Sequence, residues 1–290
     1  MRGSSVSSSR RSVWQMSGKF IWRLTLSLVK HDIASLAAVI AFYAAFSLFP
    51  LLILIIYAIT SLLPNTHVES VLLPLVRPYF PALQAATEFI SSNITRLTEL
   101  GGNFGAISAV TLTWSATSGF IAVQQALDVI WESNQRSYVA RRLIAFAMLV
   151  VLLLTTLISA IVMALPSMIN LRIVEHAPFF HWFTFVHGIS RVMFPLSLFL
   201  GSLVLYRALP SKSLPWIYLV PGALVTTVSL DSGRKLFVWY AGHLMRYQLI
   251  YGNLLAAVML LVLWMYIASI VMLFGAEVST SLHAITADKQ

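Results

Sequence analysis

The stretch from Asp32 to Ser61 constrains the fold of this chain more than any other. After Asp32 no charged side chain occurs until Glu69, so the run exceeds the roughly 20 residues that cross a bilayer core as an α-helix. Pro50 lies mid-run and leaves one backbone carbonyl without its helical donor. Because neighbouring helices must satisfy such a carbonyl in lipid, we expect this segment to lie inside a bundle. Tyr43, Ser47 and Pro50 are the expected hinge or packing residues.

The composition extends the membrane interpretation to the whole chain. Of 290 residues, 59% are hydrophobic and 10% charged, against about 25% charged in a soluble domain. No polar stretch is long enough for a separate soluble domain. The net charge of +9 lies mostly at the ends of apolar segments, where membrane topology and anionic lipids explain it better than nucleic acid. We expect the bilayer and anionic lipid headgroups as partners and no nucleic acid; a homo-oligomer stays open.

Six apolar segments predict an all-α membrane protein with six transmembrane helices and additional interfacial amphipathic helices. The segments are about 33–63, 104–125, 143–165, 186–206, 216–240 and 253–276. The predicted divisions are a disordered basic tail (1–12), an interfacial amphipathic helix (13–31), a six-span domain (32–279) and a short cytoplasmic tail (280–290). A second interpretation packs the helix over 13–31 on the cytoplasmic end of the bundle. The connection 64–103 is predicted to hold one or two amphipathic helices at the outer surface.

Basic residues predict the orientation of these spans. Twelve Lys and Arg residues fall in the segments that share a side with both termini, and four fall in the opposite loops. Cytoplasmic loops carry the excess of Lys and Arg in bacterial membrane proteins. We therefore expect both termini in the cytoplasm.

Four charged residues near the fourth and fifth spans predict a polar site: Arg191, Asp231, Arg234 and Lys235. The charge-free parts of these spans are 15 residues each, about 22 Å long and shorter than the ~30 Å hydrocarbon core. Asp231 and Lys235 have the spacing of a pair on one helix face. One hypothesis is an outward-facing cavity that binds an anionic headgroup or solute. The alternative is that both spans are short and the charges reach the outer headgroups.

A second set of charges is predicted at the cytoplasmic end. Asp32 can cap the first turn of the first span. Glu277 lies near a helix C-terminus, where the helix dipole disfavours a negative charge. We therefore expect Glu277 to bond to the basic N-terminal helix, to Arg141 or to Arg142. Structural pairing is the favoured interpretation, and a proton relay is the alternative.

The sequence contains no recognisable catalytic, metal-binding or cofactor-binding motif. It has no cysteine, and its seven histidines form no His-Glu-x-x-His motif or other zinc-ligand spacing. It also lacks a Gly-x-Ser-x-Gly elbow and a Walker loop. We therefore expect no cofactor, no metal and no enzymatic activity.

Several short motifs occur one after another along the chain, in an order that can be compared with known families. They are Phe42-Tyr43, Ser47-Leu48-Phe49-Pro50, Trp114-Ser115, Ile130-Trp131, Pro221-Gly222-Ala223, Tyr251-Gly252, Leu263-Trp264-x-Tyr266 and Gly275-Ala276-Glu277. Together they resemble the YihY/BrkB family of bacterial inner-membrane proteins, over about residues 30–279. Asp128 and Asn253-Leu254 depart from the residues that this family commonly has at those positions.

The resemblance implies a multi-pass protein of the bacterial inner membrane that transports or handles an envelope lipid or an anionic solute. The alternative is a membrane scaffold or envelope-integrity factor that transports nothing. The family has also carried a ribonuclease label. We disfavour that activity here, because a nuclease predicts clustered carboxylates or histidines on the cytoplasmic face and the sequence has no such cluster.

Overall fold

The computed structural model describes residue 18 and residues 20–62, 106–168, 195–244 and 253–287. All regular secondary structure in these ranges is helical, which confirms the predicted all-α class. The seven helices are α1 (Phe20–Lys30), α2 (Ile33–Leu62), α3 (Ala106–Ile130), α4 (Tyr138–Met168), α5 (Pro195–Ala208), α6 (Trp216–Leu244) and α7 (Asn253–Ala287). The connection 64–103 and the tail over 1–12 lie outside the described residues.

Two helices are long and apolar enough to cross a membrane by themselves. They are α4 over Tyr138–Thr155 and α7 over Val258–Thr286, with mean hydropathies of 2.0 and 2.4. A third span results if α1 and the first part of α2, bent by 56° at their junction, are counted together. The helix α5 is apolar but shorter than a span in the described part of the chain. Six membrane-crossing helices therefore stay a prediction.

Local side-chain and backbone bonds determine where α2 begins and α3 ends. Asp32 Oδ1 accepts a hydrogen bond from the backbone N–H of Ser35 at 3.4 Å, which confirms the predicted cap of α2. The helix α3 ends where Glu132 adopts a left-handed φ of 47°. There the N–H of Ser133 donates to the carbonyl of Asp128 at 3.0 Å, the bond that closes a Schellman motif.

The helix α2 packs between α3 and α7, and α7 also packs on α6. The α6–α7 pair is antiparallel: Tyr218 contacts His283 near the start of α6, and Phe237 contacts Trp264 further along. A buried apolar cluster joins the first half of α2 to α3, α5, α6 and α7. The α2 residues in it are Ile33, Ala37 and Ile40. The charge-free helix α2 therefore lies at the centre of the described helices.

The proline of α2 does not end the helix, which continues through Pro50 to Leu62. Ser47, three residues earlier, is buried and donates a hydrogen bond from Oγ to the carbonyl of Ala44 at 3.1 Å. Its hydroxyl lies against Gly119 of α3, at a site where a Cβ would be only 2.9 Å away. Tyr43 instead points away from the described core. Ser47 therefore lies at a close approach of α2 and α3, and a hinge at Pro50 stays a prediction.

Two glycines allow the backbones of α6 and α7 to approach each other closely. A Cβ on Gly275 would lie 2.7 Å from the carbonyl oxygen of Gly222 and 2.8 Å from the hydroxyl of Tyr206. A Cβ on Gly222 would collide with the carbonyl oxygen of Gly275 and the hydroxyl of Ser279. Small residues permit this kind of helix contact in membranes, where van der Waals packing drives association.

We predict that Gly222→Ala and Gly275→Ala each lower the thermal midpoint of the detergent-solubilised protein. The added methyl groups meet backbone oxygen atoms, and such overpacking costs about 1–3 kcal/mol. Gly233→Ala, in the same α6, is the matched control because nothing lies within 4 Å of its added Cβ. Equal midpoints for Gly222→Ala and Gly233→Ala would contradict the close approach.

Candidate functional site

The Asp231 triplet consists of Asp231, Arg234 and Lys235 on one side of α6. Asp231 Oδ2 accepts a hydrogen bond from Lys235 Nζ at 2.7 Å, and Oδ1 accepts one from Arg234 Nη2 at 3.3 Å. This confirms the predicted pairing of Asp231 with Lys235. Taken together, the three side chains of the triplet carry one net positive charge.

The Asp231 triplet interrupts an apolar helix. Fifteen residues without charge, 216–230, precede Asp231 and place it about 22 Å along α6. The side chains of Asp231 and Arg234 are 21% and 31% exposed, whereas that of Lys235 is 68% exposed. Two members are therefore partly covered and the third extends outward. Arg191 lies outside the described residues, so its place beside the triplet stays a prediction.

The His31 cluster joins α1, the α3–α4 loop and α7, and consists of Lys30, His31, Glu132, Glu277 and Thr280. His31 Nδ1 is hydrogen bonded to Oε1 of Glu277, and its Nε2 lies 3.6 Å from Oε1 of Glu132. Lys30 Nζ pairs with the same oxygen of Glu132. Thr280 Oγ1 donates to the second oxygen of Glu277 at 3.3 Å. The side chains of His31 and Glu277 are only 7% and 0% exposed.

The partner of Glu277 thus comes from the end of the N-terminal helix, while the two arginines contact other groups. Arg141 Nη1 donates to Oε1 of Gln135 at 3.2 Å. Arg142 Nη1 donates to Oγ1 of Thr117 at 2.7 Å and to the carbonyl of Trp114 at 3.1 Å. Its guanidinium carbon lies 3.6 Å from the centre of the Trp114 ring. Because Trp114 and Thr117 lie in the first half of α3, Arg142 is turned towards α3 rather than towards Glu277.

Glu132 is the member of the His31 cluster that lies in the α3–α4 loop. Its hydrogen bond to Lys30 and the Lys30 charge lower the pKa of the Glu132 carboxyl, and His31 acts in the same direction. The stabilisation is therefore present above the unfolded pKa of Glu132 and is lost as pH falls through its lowered folded value. Lys30 and Glu132 are 66% and 63% exposed, so solvent screening keeps this contribution small.

Asp128 is a buried carboxylate in the last turn of α3, with 1% exposure. Its Oδ1 accepts hydrogen bonds from the backbone N–H of Ser211 at 2.6 Å and from Oγ of Ser133 at 3.0 Å. Its Oδ2 accepts a third from Oγ of Ser211 at 2.9 Å. A buried carboxylate is tolerated when several donors satisfy its lone pairs, and here neutral donors from two loops do so.

Arg136 makes a second link between the same two loops. Its guanidinium donates to the carbonyls of Leu209 at 3.1 Å and Pro210 at 2.8 Å. In the sequence, Asp128 is notable only as a departure from a family pattern, and Arg136 only as one of the basic residues that predict the orientation of the spans. The feature of the sequence that could have indicated the Asp128 contact is a carboxylate in the last turn of an apolar helix, together with the serines at 211 and 213.

In the described residues, these observations define a helical membrane protein with a charged triplet in α6 and a polar cluster at the α1–α2 corner. In the described part of the chain, no group of three or more His, Asp or Glu side chains could hold a metal ion. The family described as virulence factor BrkB matches residues 25–290, and the chain belongs to this family. The family resemblance inferred from the sequence is thereby confirmed.

Individual relatives are similar over different lengths. The chain is 26% identical to a putative ribonuclease-like protein YfkH of Bacillus subtilis over 268 residues, which is 91% of this chain and 95% of that protein. It is 25% identical to a UPF0761 membrane protein of Vibrio vulnificus over 275 residues, 90% of this chain and 81% of that one. A UPF0761 membrane protein of Vibrio cholerae is 28% identical over 207 residues, 68% and 62% of the two chains. No solved structure matches the chain.

We predict a graded effect of substitutions at Asp128 on stability. Asp128→Ala removes the acceptors of three hydrogen bonds and leaves the Ser211 N–H buried without a partner, at a cost of about 1–3 kcal/mol. Asp128→Asn keeps one oxygen for that N–H and offers an amide donor to the Ser211 hydroxyl, so its cost is smaller. Thermal midpoints in detergent test the order; equal midpoints for wild type and Asp128→Ala would contradict it.

Proposed function

We propose that the chain is a six-span protein of the bacterial inner membrane, with both termini in the cytoplasm, that transports or handles an envelope lipid or an anionic solute. The observation that carries the proposal is the Asp231 triplet. A charged side chain within a membrane helix costs about 2.5 kcal/mol or more on insertion scales, and such residues usually face water or a substrate. Three charges within five residues of α6 therefore favour a binding role.

The chemistry of the triplet suits an anion. Arg234 offers a planar set of N–H donors and Lys235 a compact ammonium, and both groups bind phosphate and carboxylate oxygens. Asp231 bonds to both side chains, so part of the ordering that binding requires is already present. The single net positive charge leaves the site attractive to a lipid phosphate or an anionic solute.

The position of the triplet along α6 favours a binding site in the outer half of the membrane. The last turn of α5 and the loop before α6 carry Arg207 and Lys212, which the positive-inside rule assigns to the cytoplasm. Asp231 then lies about 22 Å from that end of α6, beyond the middle of a ~30 Å core. In this orientation the proposed site receives its anion from the outer side.

We predict that Asp231→Asn, Arg234→Gln and Lys235→Gln, made together, abolish movement of the substrate in reconstituted liposomes. A panel of fluorescent phospholipids and anionic solutes identifies what the wild-type protein moves. Lys212→Gln is the matched control, because it removes an exposed basic charge from the α5–α6 loop. Full activity of the triple variant at normal protein level would contradict the proposed role of the triplet.

The proposed orientation has a separate test. A green fluorescent protein fused after Gln290 is expected to fluoresce, and alkaline phosphatase fused at the same point is expected to be inactive, because both report a cytoplasmic C-terminus. Active alkaline phosphatase on that fusion would overturn the orientation while leaving the triplet and its chemistry unaffected.

A membrane scaffold or envelope-integrity factor is the second candidate. The observation that favours it is the row of exposed aromatic side chains Phe42, Tyr43 and Phe46 on α2, which a partner helix could cover. The two candidates differ in liposomes, where a scaffold moves none of the tested compounds. Photo-crosslinking from position 46 also separates them, because a scaffold yields a protein adduct. The proposal includes no ribonuclease activity. We therefore expect the purified protein to degrade no RNA in a degradation assay.

A further inference from the structure

Four exposed residues of α6 before the Asp231 triplet are apolar and lie on one face of the helix. They are Ile217, Val220, Leu224 and Val228, which we call the α6 stripe, and they are between 40% and 73% exposed. Their spacing of three, four and four residues is that of neighbours on one helix face. The stripe is about 16 Å long at 1.5 Å per residue.

The Asp231 triplet lies at the end of the α6 stripe and continues the same face. Asp231 follows Val228 by three residues and Lys235 follows it by seven, so these side chains are neighbours on the helix surface. Asp231 Oδ2 accepts the hydrogen bond from Lys235 Nζ, and Lys235 is exposed. The ammonium of Lys235 is therefore held beside an exposed apolar surface.

The opposite face of α6 packs inside the described structure. Leu219 and Ala223 belong to the buried cluster that joins the helices, and the ring of Phe237 contacts that of Trp264 on α7. At 100° per residue, Lys235 lies about 160° around the helix from both Leu219 and Phe237. Its side chain therefore points out of the described bundle, and a ligand reaches it from the surroundings of α6.

Two exposed aromatic residues, Trp239 and Tyr240, follow the triplet. Trp239 lies four residues after Lys235, one turn further along the same face. Trp and Tyr are enriched where a membrane meets water, with their rings at the level of the headgroups. The side chains on this face thus follow the order apolar, cationic, aromatic. A phospholipid beside α6 has its acyl chain, its phosphate and the membrane surface in the same order.

An anion attached to acyl chains fits this surface better than a water-soluble anion. A soluble anion has to leave water to reach an ammonium beside apolar side chains, and desolvation of a charge is costly. The phosphate of a phospholipid already lies at the membrane surface. Its acyl chains can pack against the α6 stripe by van der Waals contact, the interaction that dominates packing within membranes.

We propose that the outward face of α6, over residues 224–239, binds the phosphate and one acyl chain of an anionic phospholipid from the outer leaflet. Lys235 Nζ donates hydrogen bonds to a phosphate oxygen, and Asp231 positions the ammonium. The lipid enters sideways from the bilayer. The inference rests on the proposed function, because it identifies the ligand of the same triplet as a lipid and not a soluble anion.

Binding is measured by native mass spectrometry of the full-length protein, released from detergent micelles, with one of three added compounds. Phosphatidylglycerol has a phosphate and two acyl chains, diacylglycerol with the same chains lacks the phosphate, and glycerol 3-phosphate lacks the chains. We expect phosphatidylglycerol to bind at least about tenfold more tightly than either, because only this compound offers both contacts. Binding of diacylglycerol or of glycerol 3-phosphate as tight as that of phosphatidylglycerol would overturn the lipid site.

Lys235→Gln tests the role of the ammonium in the same measurement. Loss of a charge-assisted hydrogen bond is expected to raise the dissociation constant of phosphatidylglycerol about tenfold. Lys235 is exposed, so the variant is expected to keep the thermal midpoint of the wild type. Lys212→Gln is the matched control, because Lys212 is also exposed but lies in the α5–α6 loop. Equal dissociation constants for wild type and Lys235→Gln would contradict the proposal.

A spin label shows whether the α6 stripe faces lipid or water. The chain has no cysteine, so Val228→Cys provides a unique attachment point, and Thr286→Cys at the exposed end of α7 provides a reference. In liposomes we expect oxygen, which concentrates in lipid, to relax the label at 228 more than a water-soluble nickel chelate does. Relaxation by nickel as strong at 228 as at 286 would indicate a water-filled path and overturn the lipid site.

These results are independent of the movement of compounds in liposomes. If no compound moves but phosphatidylglycerol binds in a manner that depends on Lys235, the proposed transport fails and the lipid site stands. If an anionic solute moves and phosphatidylglycerol binds no more tightly than diacylglycerol, the lipid site fails and transport stands.

Discussion

The close approach of α6 and α7 at Gly222 and Gly275 is the contact on which the rest of the described structure depends. It brings two backbones together where a single methyl group would collide with carbonyl oxygen. It also determines the register of the pair, from Tyr218 and His283 at one end to Phe237 and Trp264 at the other. That register decides which residues of α7 lie beside each turn of α6.

The charged side chains at the two ends of the α6–α7 pair make different kinds of contact. At one end, the buried carboxylate of Glu277 bonds to the imidazole of His31, and that of Asp128 to the backbone N–H and hydroxyl of Ser211, so both link segments distant in sequence. In the Asp231 triplet, all three charges come from consecutive turns of one helix and remain partly exposed. The first arrangement holds loops and helices together. The second lies in one helix after fifteen residues without charge, which is why a ligand is proposed there.

Membership of the family identifies the class of membrane protein, but it does not identify the activity. The chain belongs to the virulence factor BrkB family, and relatives that cover most of its length are named both as membrane proteins and as ribonuclease-like. Those names point to different chemistries, so only the residues of this chain can distinguish between them. The charged triplet and the buried histidine–carboxylate pair are the residues that differ most from a plain apolar bundle.

The sequence by itself determined the helical class, the approximate helix positions and the interactions within single turns. The cap of α2 by Asp32 and the pairing of Asp231 with Lys235 are examples, because residues three or four apart on a helix are neighbours in any fold. Only the tertiary structure decided that Glu277 meets His31, which is 246 positions away, and that Asp128 meets Ser211, which is 83 positions away. These contacts depend on loop paths and on how closely the helices approach. Hydrophobic periodicity predicts neither the loop paths nor the distances between helices, because it shows which face of a helix is apolar but not which other helix covers that face.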